Sequence, residues 1–102
     1  MRVSEVTLVR VYCSDSGHQH QKVIDLLHRE HRVAGVTAFR GIAGFGRSGD
    51  LHEASLLDVS LDLPIVIEFF DLPDRVEAVL PMLHELVGPD HIVVWSAKAN
   101  LE

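Results

Sequence analysis

The sequence predicts an α+β domain in the order β-α-β-β-α-β, an antiparallel sheet with two helices on one face. Three observations support this. The chain has 102 residues, enough for one core and too few for two domains, so residues 1–102 are read as a single domain. β-branched or alternating stretches mark four strand regions. Between them lie two stretches with apolar residues every three to four positions, the mark of amphipathic helices.

Residues 6–11 are rich in Val and Leu on both faces, which suits a central strand of a covered sheet. Asp15-Ser16-Gly17 is a turn signal. Val23, Leu26, Leu27, His31 and Ala34 then share one helical stripe, with Asp25, Arg29 and Arg32 outside it. This predicts a helix over residues 20–32 that stops near Gly35. Residues 36–43 read as the second strand. Gly41, Gly44, Gly46 and Gly49 punctuate a polar loop running to about Glu53. Leu57, Val59 and Leu61 alternate with Asp58, Ser60 and Asp62, and Ile65, Ile67 and Phe69 follow. The pattern predicts one long strand broken at Pro64, or two short ones.

Asp71 is a candidate N-cap for the second helix, whose stripe is Val76, Val79, Leu80, Leu83 and Val87. Pro81 falls inside it and is expected to kink it or weaken one turn. Gly88-Pro89 stops the helix, and residues 92–97 form the last strand. This order is the ferredoxin-like split βαβ arrangement. The sheet face away from the helices would carry residues such as Val66, Phe70, Val93 and Trp95. That face is too apolar for water, which predicts burial by oligomerisation.

Nine Lys and Arg against fifteen Asp and Glu give a net charge of −6, the wrong sign for nucleic-acid binding. Seven His are many for this length; protonating all of them would move the charge from −6 to +1 (−6 + 7). The single cysteine, Cys13, excludes an internal disulfide and fits a reducing compartment. Glu5 and Arg10 interrupt the N-terminal apolar run, so it does not read as a signal peptide, and no apolar stretch is long enough to span a membrane. The expected location is cytoplasmic.

The segment most informative about function is Arg40-Gly41-Ile42-Ala43-Gly44-Phe45-Gly46-Arg47-Ser48-Gly49, followed by His52-Glu53. Glycines let backbone N–H groups turn toward a ligand and let the ligand come close. Arg47 adds a planar fork suited to phosphate or carboxylate, and Ser48 and His52 add polar reach. A hairpin loop without a ligand would satisfy the same spacing.

Gly44-Phe45-Gly46-Arg47 with Gly49 and His52-Glu53 resembles the base of the T-loop in PII signalling proteins. A wider pattern resembles the PII-like family called domain of unknown function 190. It comprises Ala34-Gly35-Val36-Thr37, Arg40-Gly41-Ile42, Gly44-Phe45-Gly46, His52 and Leu61-Asp62-Leu63-Pro64-Ile65-Val66-Ile67-Glu68. That family also tends to carry a histidine and a lysine just before its first helix, and His20 and Lys22 match these.

The resemblance implies a homotrimer with its sheets facing inward and an adenine nucleotide in clefts between subunits. It also implies a loop that docks on a partner such as a membrane transporter or channel. The ligand-binding residues it implies are Gly44, Phe45, Gly46, Arg47, Ser48, His52 and Gly88. Ser48 stands where PII proteins often have glutamine, which argues against 2-oxoglutarate sensing. The loop lacks a tyrosine for uridylylation-type control. Gly88-Pro89-Asp90-His91 is short and acidic where PII proteins are basic. Among ATP, ADP, AMP and cyclic AMP, that favours the less charged nucleotides.

The alternative is a divalent-metal-binding trimer resembling CutA proteins. His18 with His20, and His28 with His31, are the spacings that could hold an ion, and His52 and His91 are further candidates. No clustered carboxylates or cysteines complete a structural metal site, so no metal ligand is assigned. Catalysis has little support: no nucleophile-elbow motif occurs, and Cys13 reads best as a buried, inert thiol. The expected function is that of a non-enzymatic regulatory protein with no required cofactor.

Overall fold

A computed structural model of the chain describes residues 1–14, 18–44, 52–53 and 64–102. The main sheet has four strands: β1 (Ser4–Ser14), β2 (Thr37–Arg40), β5 (Pro64–Asp71) and β6 (Ile92–Ala99). Their order is β2-β5-β1-β6, and every neighbouring pair is antiparallel. Two helices connect them, α1 (Gln19–Asp25), which runs on into a π turn over Leu26–Glu30, and α2 (Pro73–Val87). A short ribbon pairs β3 (Ala43–Gly44) with β4 (His52–Glu53). The architecture is the ferredoxin-like α+β fold that the order of elements implies.

Strand alternation builds the core. Val9, Val11 and Cys13 of β1 stand opposite Phe69, Ile67 and Ile65 of β5, and all six are buried. Val23, Leu26 and Leu27 close over them from the first helical segment, and Val76, Val79, Leu83 and Val87 from α2. Both helices therefore share one face of the sheet. As the apolar content of β1 predicts, that strand is central. Val66, Phe70, Val93 and Trp95 fall on the opposite face, as expected, and Tyr12 and Phe39 join them.

Several sequence expectations are corrected. The first helix does not run on as an α-helix to Arg32. It widens into the π turn, closed by His31 N–H donating to Leu26 O, and Arg32 then takes a left-handed φ of 47°. This turn swings Val33 onto the core in place of Ala34, which is exposed. The second strand splits. Thr37–Arg40 pairs with β5, whereas Ala43–Gly44 leaves the sheet for the ribbon. β5 begins at Pro64, where a missing N–H is tolerated at a strand start. The expected strand segment over residues 57–63 and the Asp15-Ser16-Gly17 turn lie outside the described residues.

Asp71 is not the N-cap of α2. It ends β5, Leu72 occupies the cap and Pro73 opens the helix. The Asp71 carboxylate still serves the helix start, accepting from Leu72 N–H at 2.7 Å and from Arg75 Nε at 3.0 Å. Pro81 sits inside α2, where it removes one backbone donor from the helical ladder. The apolar stripe predicted for α2 faces the core as expected.

Arg75 joins the two helices. Its Nη2 donates to the carbonyls of His31 and Arg32, each at 3.0 Å, and so caps the open end of the π turn from the neighbouring helix. An exposed Arg–Asp pair alone contributes little. The two carbonyl bonds are the larger part, and Arg75→Ala is expected to cost about 1–2 kcal/mol. At fixed protein concentration this lowers Tm by roughly 4–8 °C per kcal/mol. Arg75→Lys recovers little, because an ammonium cannot span the same three acceptors in a plane. A Tm for Arg75→Ala equal to that of the parent would refute the capping role.

Burial pushes the Cys13 thiol up to about 11. The folded value lies above the unfolded one of about 8.5, so the stability this group contributes is complete below about pH 8.5 and is lost as pH rises through about 11. At pH 8 iodoacetamide is expected to label the denatured chain readily and the native chain hardly at all. Equal labelling of both would contradict a buried thiol.

Candidate functional site

All four strands of the sheet present one common end. β1 finishes there at Ser14, β2 at Arg40, and β5 and β6 begin there at Pro64 and Ile92. Two connections leave this end from opposite edges: the glycine-rich segment after β2 and the Gly88–His91 turn before β6. Three strand spacings separate those edges, roughly 14 Å.

On the β2 edge the backbone is drawn tightly against β5. Gly41 N–H donates to Pro64 O at 2.7 Å. A Cβ at Gly41 would lie 2.6 Å from Pro64 Cγ and 3.1 Å from Pro64 O, so only glycine fits there. Gly44 follows in the ribbon, where a Cβ would meet Pro64 Cγ at 3.4 Å, an ordinary contact. Pro64 is thus the floor on which the start of the glycine-rich segment rests. Ile42, between the glycines, is 80% exposed.

On the other edge, Gly88 ends α2 at φ 78°, ψ −177°, and its N–H donates to His84 O at 2.8 Å. Asp90 is left-handed at φ 70°. His91 then locks onto β1 from both sides: its carbonyl accepts from Tyr12 N–H at 2.8 Å, and its Nδ1 lies 2.7 Å from Tyr12 O. A carbonyl only accepts, so Nδ1 carries the proton and the neutral ring keeps Nε2 as its acceptor. Gln19, at the start of α1, reaches Ser14 N–H and Leu86 O, both at 3.4 Å, so α1, β1 and α2 meet at this same end.

Of the ligand-binding residues expected from the sequence, Gly44 and Gly88 are both found at this end of the sheet, on opposite edges. His52 is placed by its backbone only, opposite Gly44 in the ribbon. Phe45, Gly46, Arg47 and Ser48 lie outside the described residues. Sequence reasoning singled out Gly41 only as part of a loop pattern, and it did not anticipate Tyr12. The signal for Gly41 was its place between a β-branched strand and Pro64, but the contact spans 23 positions and is not visible locally. His20 and Lys22, expected before the first helix, lie within α1.

Among the described residues, the histidine pairs gain no third ligand. His18 is left-handed ahead of α1 and His20 is inside it. His28 lies in the π turn and His31 caps it. His31 Nε2 instead approaches Met82 Sδ at 2.9 Å. Among the described residues, no three His, Cys, Asp or Glu side chains come together where they could hold an ion.

The Gly41–Pro64 contact yields a direct prediction. Gly41→Ala is expected to push β2 away from Pro64 and lower stability by about 1–3 kcal/mol, read as a fall in Tm at fixed protein concentration. Gly35→Ala, where a Cβ meets nothing within 4 Å, is the matched control and is expected to change Tm little. Equal effects of the two substitutions would refute the close-approach argument.

Comparison with known proteins places this geometry in a family. Residues 6–99 match the model of DUF190, described as Uncharacterized ACR, COG1993. A UPF0166 protein of Methanocaldococcus jannaschii is 29% identical over 75 residues, which is 74% of this chain and 68% of that protein. Among solved structures, CPII, a nitrogen regulatory PII-like protein from Thiomonas intermedia K12 bound to ADP, AMP and bicarbonate, superposes with a TM-score of 0.72. The identity is 20%, over 96% of this chain and 89% of that one. CutA from Xylella fastidiosa superposes with a TM-score of 0.64 at 17% identity, over 97% and 88%. With nearly its whole length matched, the chain belongs to the DUF190 (UPF0166) family, in a ferredoxin-like fold that it shares with PII-like proteins.

Proposed function

We propose that this protein is a PII-like regulatory binding protein with no catalytic role. In this reading it takes a small anionic effector, an adenine nucleotide such as ADP or AMP, in clefts between copies of itself. The observation that supports it most is the separation of the two halves of the site. Gly41–Gly44 and Gly88–His91 leave the same end of the sheet about 14 Å apart, too far to close on one phosphate. Packing copies through the exposed apolar face brings the β2 edge of one chain toward the β6 edge of the next, and the cleft becomes complete. The likeness to CPII, solved with ADP, AMP and bicarbonate, suggests the ligand class.

Within that cleft, Gly44, Gly46 and Gly88 offer backbone N–H groups, and Arg47 neutralises the phosphate with a charge-assisted fork. Phe45 packs on the base, and Ser48 and His52 add hydrogen bonds. Ligand binding at the glycine-rich segment changes the surface offered to a partner such as a membrane transporter or channel. No described helix is long and apolar enough to cross a membrane. A cytoplasmic protein acting on a membrane partner fits this arrangement.

Isothermal titration with ADP, AMP, ATP and cyclic AMP, with and without bicarbonate and magnesium, tests the reading. Saturable binding near one nucleotide per chain is expected. Arg47→Ala is expected to weaken it by about 1.5–3 kcal/mol, roughly tenfold to a hundredfold in Kd. No binding of any nucleotide would overturn the effector assignment. Retention of a divalent ion by the purified protein, with loss of stability on chelation, would favour the CutA-like alternative instead.

A further inference from the structure

The exposed face of the sheet is apolar except at its middle. Leu8 of β1 faces Phe70 of β5 and Trp95 of β6, and Tyr12 faces Val66. Phe39 continues the second row on β2. Between these rows sits one ion pair. Arg10 on β1 is directly opposite Glu68 on β5, and its Nε donates to Glu68 Oε1 at 2.8 Å. The same guanidinium lies 5.7 Å from the centroid of the Trp95 ring, its diagonal neighbour on β6. Arg10 is thus held from two strands at once, and the cluster of three spans the middle of the sheet.

Apolar burial is non-directional, so a face of Leu, Phe, Tyr, Val and Trp side chains would seal against a partner in many registers. A charge within it is selective. Arg10 and Glu68 are already paired within the chain through Nε and Oε1, so once water leaves it is their remaining guanidinium N–H groups and carboxylate oxygen that a partner must meet, and a register that sets apolar groups over them leaves them unsatisfied. The charge balance also says what covers the face. The chain carries −6 overall, so copies repel one another, but here one positive and one negative group cancel. A strongly acidic or basic partner finds no net charge to match here. A second copy of this chain needs none, and it also brings together the two sheet-end segments that lie on opposite edges of one chain.

We propose that the Arg10–Glu68 pair, stacked against Trp95, is a self-recognition pin. It sets the register in which copies of this chain seal their exposed sheet faces, and it rejects registers and foreign chains that would leave the remaining hydrogen-bonding groups of the pair unmet. The inference rests on the reading above that this face is a subunit interface. The pair acts as a specificity element and not as the source of affinity, which comes from the surrounding apolar area.

Sedimentation velocity and native mass spectrometry of the full chain test this with three variants. Arg10→Met leaves Glu68 without its partner and is expected to raise the concentration for half-assembly roughly tenfold or more. Arg10→Glu combined with Glu68→Arg restores a paired face, and assembly is expected to return to within about threefold of the parent. Arg10→Met combined with Glu68→Leu is expected to assemble at least as tightly as the parent, but into more than one oligomeric species. Parent-like assembly of Arg10→Met, or a reversed pair no better than it, would overturn the pin. So would a single species from the apolar double variant. If Arg10→Met does not fold, the two double variants decide the matter alone. A parent chain that stays monomeric at roughly 100 µM would instead overturn the interface reading itself.

Discussion

The antiparallel pairing of β1 with β5 is the constraint on which the rest depends. Its register places Val9, Val11 and Cys13 against Phe69, Ile67 and Ile65 on the side that the helices cover. A strand has period two, so the same register must turn Leu8, Arg10 and Tyr12 together with Phe70, Glu68 and Val66 to the other side. Among the described residues there are two helices, and both are used on the first face. The second face is therefore apolar and uncovered as a direct consequence of how the core was made.

That consequence links the fold to function. A protein of this length has no interior volume for a deep ligand pocket. Its sheet end offers two partial sites, on opposite edges, each well held by its own contacts: Gly41 on Pro64, and His91 on Tyr12. In the function proposed above, the apolar face gives copies a reason to associate and association supplies the missing half of each site, which would tie stability, assembly and ligand binding to a single sheet.

The two edges are held differently. The β6 edge is fixed to β1 by the Tyr12 N–H bond to the His91 carbonyl and by the His91 ring, whose Nδ1 returns a bond to the Tyr12 carbonyl. The β2 edge is only four residues long and exposed along its length, held by its antiparallel ladder to β5 and, just beyond it, by the Gly41–Pro64 backbone bond and close contact. A short edge strand is easily displaced. It is also the strand that leads into the glycine-rich segment, whose start rests on Pro64 of β5, so β2 and the start of β5 are the parts of the sheet nearest to that segment.

How much of this was legible in the sequence differs by element. The alternation around residues 65–69, the α2 stripe and the apolar set Val66, Phe70, Val93 and Trp95 were all readable, because each residue's preference for core or solvent is written locally and repeats with the geometry of its element. Gly44 and Gly88 were singled out by resemblance, and the structure places both at one end of the sheet, on opposite edges. The end of the first helix was misread because Ala34 continues the stripe as well as Val33 does. The choice of a π turn over another α turn depends on Arg75, 44 positions away from His31, donating to its carbonyl. Asp71 carried the chemistry of an N-cap, but the strand pairing with Thr7 claimed its backbone first.

By itself, then, the sequence determined the kinds of element, their order, the residues that had to be buried and the presence of a second apolar face, since these follow from short-range periodicity and the hydrophobic effect. Only the tertiary structure decided which residues meet. It set Arg10 against Glu68 across 58 positions, pressed Gly41 onto Pro64, bound His91 to Tyr12 across 79 positions and put the two halves of the site on opposite edges. Such contacts depend on strand register and helix docking, which are settled by the packing of the whole core and leave no trace in the residues on either side.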